Sequence, residues 1–160
     1  MPNGGLMGSF EIFSDGACSG NPGPAAIGVV IRKDGKKVKE VSEVIGEATN
    51  NIAEYKAFIR GLLEAKALGA EHVKLRTDSQ LLFYQLKGTY KVKHANMKPL
   101  HEQALLLLKG FKKVECKVVP REENKDADLL ATSALKQQKA SPDDRPDVFI
   151  MGEESPSSKG

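Results

Sequence analysis

The change of hydrophobic period along the chain constrains its fold more than any other feature. Three segments of period two come first, joined by short polar turns, and a segment of helical period follows. Residues 10–15 (FEIFSD) alternate as a strand. The segment 16–24 (GACSGNPGP) reads as a turn-rich connection, and 25–33 (AAIGVVIRK) as a second strand. Asp34-Gly35 is a hairpin signal, because both residue types tolerate positive φ, and 36–46 (KKVKEVSEVIG) continues as a third strand. These three strands form an antiparallel meander. From Asn51 to Leu68 the apolar positions Ile52, Tyr55, Phe58, Ile59, Leu62, Leu63 and Ala65 recur at helical spacing, and Gly69 supplies the stop. A fourth strand, 72–78 (HVKLRTD), is reached through that helix and is therefore expected to run parallel to the third. A short helix over 79–87 ends at Gly88. A basic link then leads to a helix over Pro99–Phe111, a fifth strand over 114–120 (VECKVVP) and a last helix over Asn124–Gln138. The expected fold class is α/β: a five-stranded mixed sheet flanked by helices, in the order βββαβααβα.

A chain of 160 residues with 40% apolar content makes one domain with a real core. Two cysteines exclude a disulfide scaffold and suit reduced thiols in the cytoplasm. No apolar run reaches the roughly 18 residues of a membrane span. The opening MPNGGLMGSF lacks the charged start and apolar stretch of a signal peptide. The net charge of +3 is mild, but it is unevenly spread. Between Gln85 and Lys125 there are ten Lys or Arg against four Glu, a local net of +6. That segment suits a polyanionic ligand, although a solvated lysine-rich surface would look the same. Residues 139–160 are rich in Pro, Ser and acids and read as a tail, mostly disordered or docked. Within it, Val148-Phe149-Ile150-Met151 is an apolar patch suited to docking on the body or on a partner.

Four carboxylates carry the chemistry: Asp15, Glu54, Asp78 and Asp128. Each has an ordinary reading of its own. Asp15 before Gly16 suits an Asx turn. Asn51-x-x-Glu54 resembles a capping box, Asp78 can cap the helix at Ser79, and Asp128 suits the first turn of the last helix. Taken together they read as one site, because strands ending at Asp15 and Asp78 are expected sheet neighbours and two helix starts can bring Glu54 and Asp128 to that rim. Glu54 also shares a helix face with the small or apolar Ala57, Phe58, Gly61 and Ala65, so it needs a partner there. Four converging acids call for a divalent cation, and an all-oxygen donor set favours Mg²⁺ or Mn²⁺.

The chain then resembles the type 1 ribonuclease H family, in its compact form without a basic protrusion. The matching segments are Asp15-Gly16-Ala17-Cys18-Ser19-Gly20-Asn21-Pro22-Gly23-Pro24, Thr49-Asn50-Asn51-Ile52-Ala53-Glu54-Tyr55, Thr77-Asp78-Ser79-Gln80 and Asn124-Lys125-Asp126-Ala127-Asp128-Leu129-Leu130-Ala131. The resemblance covers residues 8–138, the expected catalytic domain. It implies a ribonuclease H-like fold and an endonuclease that hydrolyses the RNA strand of RNA/DNA hybrids to 5′-phosphate and 3′-hydroxyl ends. It further implies two Mg²⁺ or Mn²⁺ ions held by Asp15, Glu54, Asp78 and Asp128. By the same resemblance Asn21, Asn50, Asn51 and Gln80 contact the RNA strand, with Cys18 in the same hybrid-facing turn. Thr49 and Asn124 fall where the family holds a DNA-strand phosphate. The amides make chemical sense, since they can both donate to and accept from a 2′-hydroxyl that DNA lacks. One departure stands out: many members carry a histidine in the loop before the last acid, and here Val119-Pro120-Arg121-Glu122-Glu123-Asn124 has none, leaving Arg121 or Glu123 to substitute. A monomeric, cytoplasmic protein is expected. The rival readings are a non-catalytic hybrid- or duplex-RNA-binding module and a nuclease or integrase of the same fold acting on DNA.

Overall fold

In the computed structural model, residues 9–139 are described. The expected tail beyond residue 139, with its Val148–Met151 patch, lies outside them. The strands are β1 (Phe10–Cys18), β2 (Gly23–Lys33), β3 (Lys36–Ala48), β4 (His72–Thr77) and β5 (Lys113–Val118). The helices are α1 (Asn50–Ala67), α2 (Gln80–Lys87), α3 (Lys98–Leu108) and α4 (Lys125–Lys139), the last preceded by one 3₁₀ turn, Arg121–Asn124. They form one mixed sheet in the order β3-β2-β1-β4-β5. The expected α/β class and element order hold.

Local chemistry explains the elements. Asp34 and Gly35 both take positive φ, 53° and 80°, so the β2–β3 hairpin turns as its two-residue signal demands. Thr49 begins α1 by accepting the Ile52 N–H on its hydroxyl at 3.2 Å. Gly88, at φ 93°, ends α2 in the left-handed conformation. Ile12, Val29, Ile31, Phe58, Leu62 and Leu75 form the centre of the core, all at most 1% exposed. Each of these side chains contributes roughly 1.5–3 kcal/mol by burial.

Several expectations need correction. β1 does not end at Asp15, and Cys18 is not in a turn: Gly16, Ala17 and Cys18 pair with Ile27, Ala26 and Ala25. The Gly, Asn and Pro of this stretch signal a turn, but the actual turn needs only residues 19–22, and the small residues before it pair flat against Ala25 and Ala26. What ends near Asp15 is the parallel ladder to β4, whose last pair is Phe13 with Arg76. The expected placing of β4 holds: it runs parallel to β3 and lies beside β1, because α1 crosses the sheet and delivers it to the far edge of the meander. Glu54 is not in a capping box and lies beyond the first turn of α1, since Thr49 is the cap. Likewise Ser79, not Asp78, caps α2, accepting the Leu82 N–H at 3.1 Å.

Two glycines let the helices approach the sheet. A Cβ on Gly16 would lie 2.5 Å from the Ala53 carbonyl carbon of α1. A Cβ on Gly28 would lie 2.0 Å from the Ala127 carbonyl oxygen of α4. Both positions are real side-chain distances only if the side chain is a hydrogen, so each helix sits as close to the sheet as backbone allows.

Candidate active site

The acids meet where β1 and β4 part. Beyond Phe13, β1 continues against β2 alone, while β4 stops at Thr77. The gap at the carboxyl ends of two parallel strands is the usual place for a site in a mixed sheet. Asp15 enters it from β1 and Asp78 from the residue after β4. Glu54 enters from α1, which Gly16 admits to close range; the Gly16 N–H donates to Glu54 Oε1 at 3.2 Å. One carboxylate oxygen each of Asp15, Glu54 and Asp78 lies within 4.8 Å of the others. Asp128 is brought in by α4, which docks over Gly28, the residue paired directly across from Asp15. Its carboxyl group adds to the negative field at Asp15, although the group of oxygens that meets within 4.8 Å is that of Asp15, Glu54 and Asp78 alone.

Electrostatics confirms how crowded this gap is. Asp15, only 5% exposed, has its pKa pushed up to about 10, first by burial and then by repulsion from Glu54, Asp78 and Asp128. Burial, followed by the charge of Asp78, raises Glu54 to about 8, although bonds from Asp15 and Gly16 and the charge of Arg121 pull the other way. Without a counter-charge the cluster must hold protons at neutral pH. A divalent cation relieves this, and an all-carboxylate donor set is the hard-oxygen kind that such ions take.

The remaining expected contacts divide. Asn21, Asn50, Asn51 and Gln80 are exposed on the loops and helix starts around the acids. Asn21 also braces that rim, its Oδ1 accepting the Asn50 N–H at 2.9 Å. Thr49 is half-buried with its hydroxyl engaged as the α1 cap. Cys18, half-buried, donates its thiol to the Ala48 carbonyl at 2.8 Å, and burial raises its pKa. Asn124 departs from expectation. It is 1% exposed, and its Nδ2 donates to the Ser14 carbonyl at 2.9 Å and to Asp78 Oδ2 at 3.3 Å. Its amide hydrogens are committed inside the protein, so it orients Asp78 instead of facing a phosphate. Its Oδ1 is buried without a hydrogen-bond partner. Of the two substitutes for the loop histidine, Arg121 acts electrostatically on Glu54, whereas Glu123 lines a separate cleft with Arg32 and Lys125. His94 is exposed, whereas His101 is half-buried, its Nε2 3.1 Å from the Gln85 carbonyl.

Residues 13–134 match a protein family described as reverse transcriptase-like. The ribonuclease H1 of the archaeon Halobacterium salinarum superposes with a TM-score of 0.79 at 42% identity, over 81% of this chain and 99% of that one. The chain belongs to the type 1 ribonuclease H family. Another ribonuclease H1, solved in complex with an RNA/DNA hybrid, superposes with a TM-score of 0.76 at 37% identity, over 81% of this chain and 98% of its own. The bifunctional protein Rv2228c of Mycobacterium tuberculosis is 40% identical over 153 residues, which are 93% of this chain and 42% of that protein. This chain thus spans less than half the length of that ribonuclease H relative. Among the described residues, no helix is long and apolar enough to cross a membrane.

Sequence reasoning passed over Gly28 and the hold of Asn124 on Asp78. An isolated glycine in the apolar run AAIGVV was a usable signal of close backbone approach. Nothing local in the sequence announces the Asn124 bonds, which span 110 and 46 residues.

Proposed function

We propose that this chain is a metal-dependent endonuclease that hydrolyses the RNA strand of RNA/DNA hybrids, leaving 5′-phosphate and 3′-hydroxyl ends. The observation that carries this is the meeting of Asp15, Glu54 and Asp78 oxygens within 4.8 Å, in the field of Asp128, at a rim of exposed amides. The working unit is one copy of residues 8–138, since a single chain supplies all four acids.

Asp15, Glu54, Asp78 and Asp128 hold two Mg²⁺ or Mn²⁺ ions. When bound, these ions make water nucleophilic at neutral pH and stabilise the charge of the departing 3′-oxygen. The protein does the rest by position. Gly16 fixes the Glu54 carboxylate through its N–H, and Asn124 fixes that of Asp78. Asn21, Asn50, Asn51 and Gln80 read 2′-hydroxyls through amides that donate and accept, which selects RNA on that strand. Cys18 backs the same turn, and Thr49 lies beside a backbone phosphate of the DNA strand. Arg121, in the place of the absent histidine, brings a positive charge to Glu54 and to the 5′-phosphate of the product. The lysines between Gln85 and Lys125 supply salt-sensitive affinity.

The test uses an end-labelled RNA/DNA hybrid with Mg²⁺, Mn²⁺ or EDTA, beside single-stranded RNA, duplex RNA and duplex DNA. The expected result is metal-dependent cutting confined to the RNA of the hybrid and reduced at least about 10³-fold in Asp78→Asn. Asp78→Asn keeps an acceptor for Asn124 and loses a repelling charge, so its fold should persist. Hybrid binding without cleavage under every metal would replace the proposal with the binding-module reading.

A further inference from the structure

Gln85 is 5% exposed, yet every polar part of it is used. Its Oε1 accepts the Tyr55 hydroxyl at 2.7 Å, its Nε2 donates to the Lys91 carbonyl at 3.3 Å, and its own carbonyl faces His101 Nε2 at 3.1 Å. The side chain thus ties α1 and the 88–97 link to α2, and the main-chain carbonyl of the same residue meets α3. Tyr55 is fully buried and directly follows Glu54. The start of the link is held to α2 by the Thr89 and Tyr90 N–H groups on the Tyr84 carbonyl and by the Tyr84–Tyr90 ring contact, and Val92 and Met97 pack on the core. At Lys91, however, the only side-chain hydrogen bond among the described residues is the one from Gln85. Beside it runs a groove of about 540 Å³ lined by Asn51, Leu81 and Gln85 together with Lys91, Lys93 and His94 of the link. The cations on it belong to irregular chain, and the Gln85 bridge is the hydrogen-bonded tie between that chain at Lys91 and Tyr55 of the helix that carries Glu54.

Resting on the hybrid-cleaving reading, we propose that Gln85 is a positioning residue for substrate: by bridging Tyr55 and the Lys91 carbonyl it sets the width of this groove and holds Lys91 and Lys93 against the nucleic-acid backbone. Gln85 does not reach the substrate itself. Its loss therefore acts through the two lysines on affinity and leaves the acids in place. A merely structural glutamine would lower the melting temperature without touching the salt dependence of binding.

The experiment measures hybrid affinity against salt concentration, with kcat and KM, for the full chain and four variants: Gln85→Leu, Tyr55→Phe, the surface pair Lys91→Gln/Lys93→Gln, and that pair combined with Gln85→Leu. The expected result for Gln85→Leu is affinity at least about ten-fold weaker, a salt slope smaller by about 1.8 (two phosphate contacts), and kcat at saturating hybrid within about two-fold of wild type. The lysine pair should reproduce this loss, and adding Gln85→Leu to it should cost little more. Should Gln85→Leu not fold, Tyr55→Phe, which removes one hydroxyl, should show the same loss in smaller measure. A wild-type salt slope and KM in Gln85→Leu (in Tyr55→Phe if Gln85→Leu does not fold), or in the lysine pair, would overturn the positioning role while wild-type cleavage leaves the functional reading intact. A wild-type chain that neither binds nor cuts the hybrid would overturn both.

Discussion

Gly28→Ala should damage the site without altering any residue in it. Gly28 pairs with Asp15 across β1 and β2, so both lie on the face where α4 packs. An alanine Cβ would sit 2.0 Å from the Ala127 carbonyl oxygen, 2.7 Å from the Ala131 nitrogen and 3.0 Å from Leu130 Cβ. Two of these three are helix backbone, so no side-chain rotation relieves them, and α4 must retreat by about 1 Å or more to restore ordinary contact. Overpacking of this kind costs about 1–3 kcal/mol. For a chain of this size that lowers the melting temperature by about 3–10 °C. The same retreat carries Asp128 away from Asp15, and a misplacement of about 1 Å costs roughly 10²-fold in rate. Thermal melts with kcat on a hybrid substrate read both effects. Ser42→Ala is the matched control: it deletes the 2.6 Å bond from Ser42 Oγ to the Leu130 carbonyl, another tie of α4 to the sheet, but inserts nothing. It should cost about 1 kcal/mol and leave kcat within about two-fold. A Gly28→Ala protein that melts and cuts like wild type would refute the claim that close approach at Gly28 places the fourth acid.

Asn124→Ala leaves the Ser14 carbonyl without its donor and frees Asp78, so it should destabilise by about 1–3 kcal/mol and lower kcat more than it raises KM. The reverse split, a raised KM at unchanged kcat, would restore a phosphate contact for this residue. In EDTA the melting temperature should fall as pH rises from about 5 to 9. The folded-state pKa values of Asp15 and Glu54 are both raised, so their stabilising contribution is complete below the unfolded values near 4 and is lost as pH passes through about 8 to 10. The slope is at most about 1.4 kcal/mol per pH unit for each extra proton held. Millimolar Mg²⁺ should flatten this decline, and a metal-free profile that rises with pH would contradict the buried-repulsion account. Arg121→Ala removes the positive charge nearest Glu54 on the loop that lacks a histidine, and should slow turnover roughly ten-fold with the fold intact.

The fold was legible wherever period and turn chemistry agree. Asp34-Gly35 placed the β2–β3 turn and its first pairs, Lys33 with Lys36 and Arg32 with Lys37, beyond which the register shifts, and the spacing of Tyr55, Phe58 and Leu62 marked the buried face of α1. Misreadings came where a local signal had a second use. Gly16 looked like part of a turn because glycine usually marks one, but it pairs in β1 and is small because Ala53 passes over it. Asn51 with Glu54 looked like a capping box, but Thr49 starts the helix, and this frees Glu54 to turn into the site. Once the cap is Thr49, the acid has no local role left.

That last point explains why the four acids were legible as a group and their supports were not. A carboxylate in a strand-and-helix junction is visible in sequence, and the local explanations for Glu54 and Asp78 are both taken by neighbours, Thr49 and Ser79. What holds the acids is written in long-range contacts: Gly16 against Ala53, Gly28 against Ala127, Asn124 against Ser14 and Asp78. These residues carry no charge and no reactive group, so only the packed structure distinguishes them from any other glycine or asparagine. That packing sets where the acids stand, whether protons or cations relieve their repulsion, which is why small changes at Gly28 or Asn124 should reach the chemistry while leaving every carboxylate in the sequence.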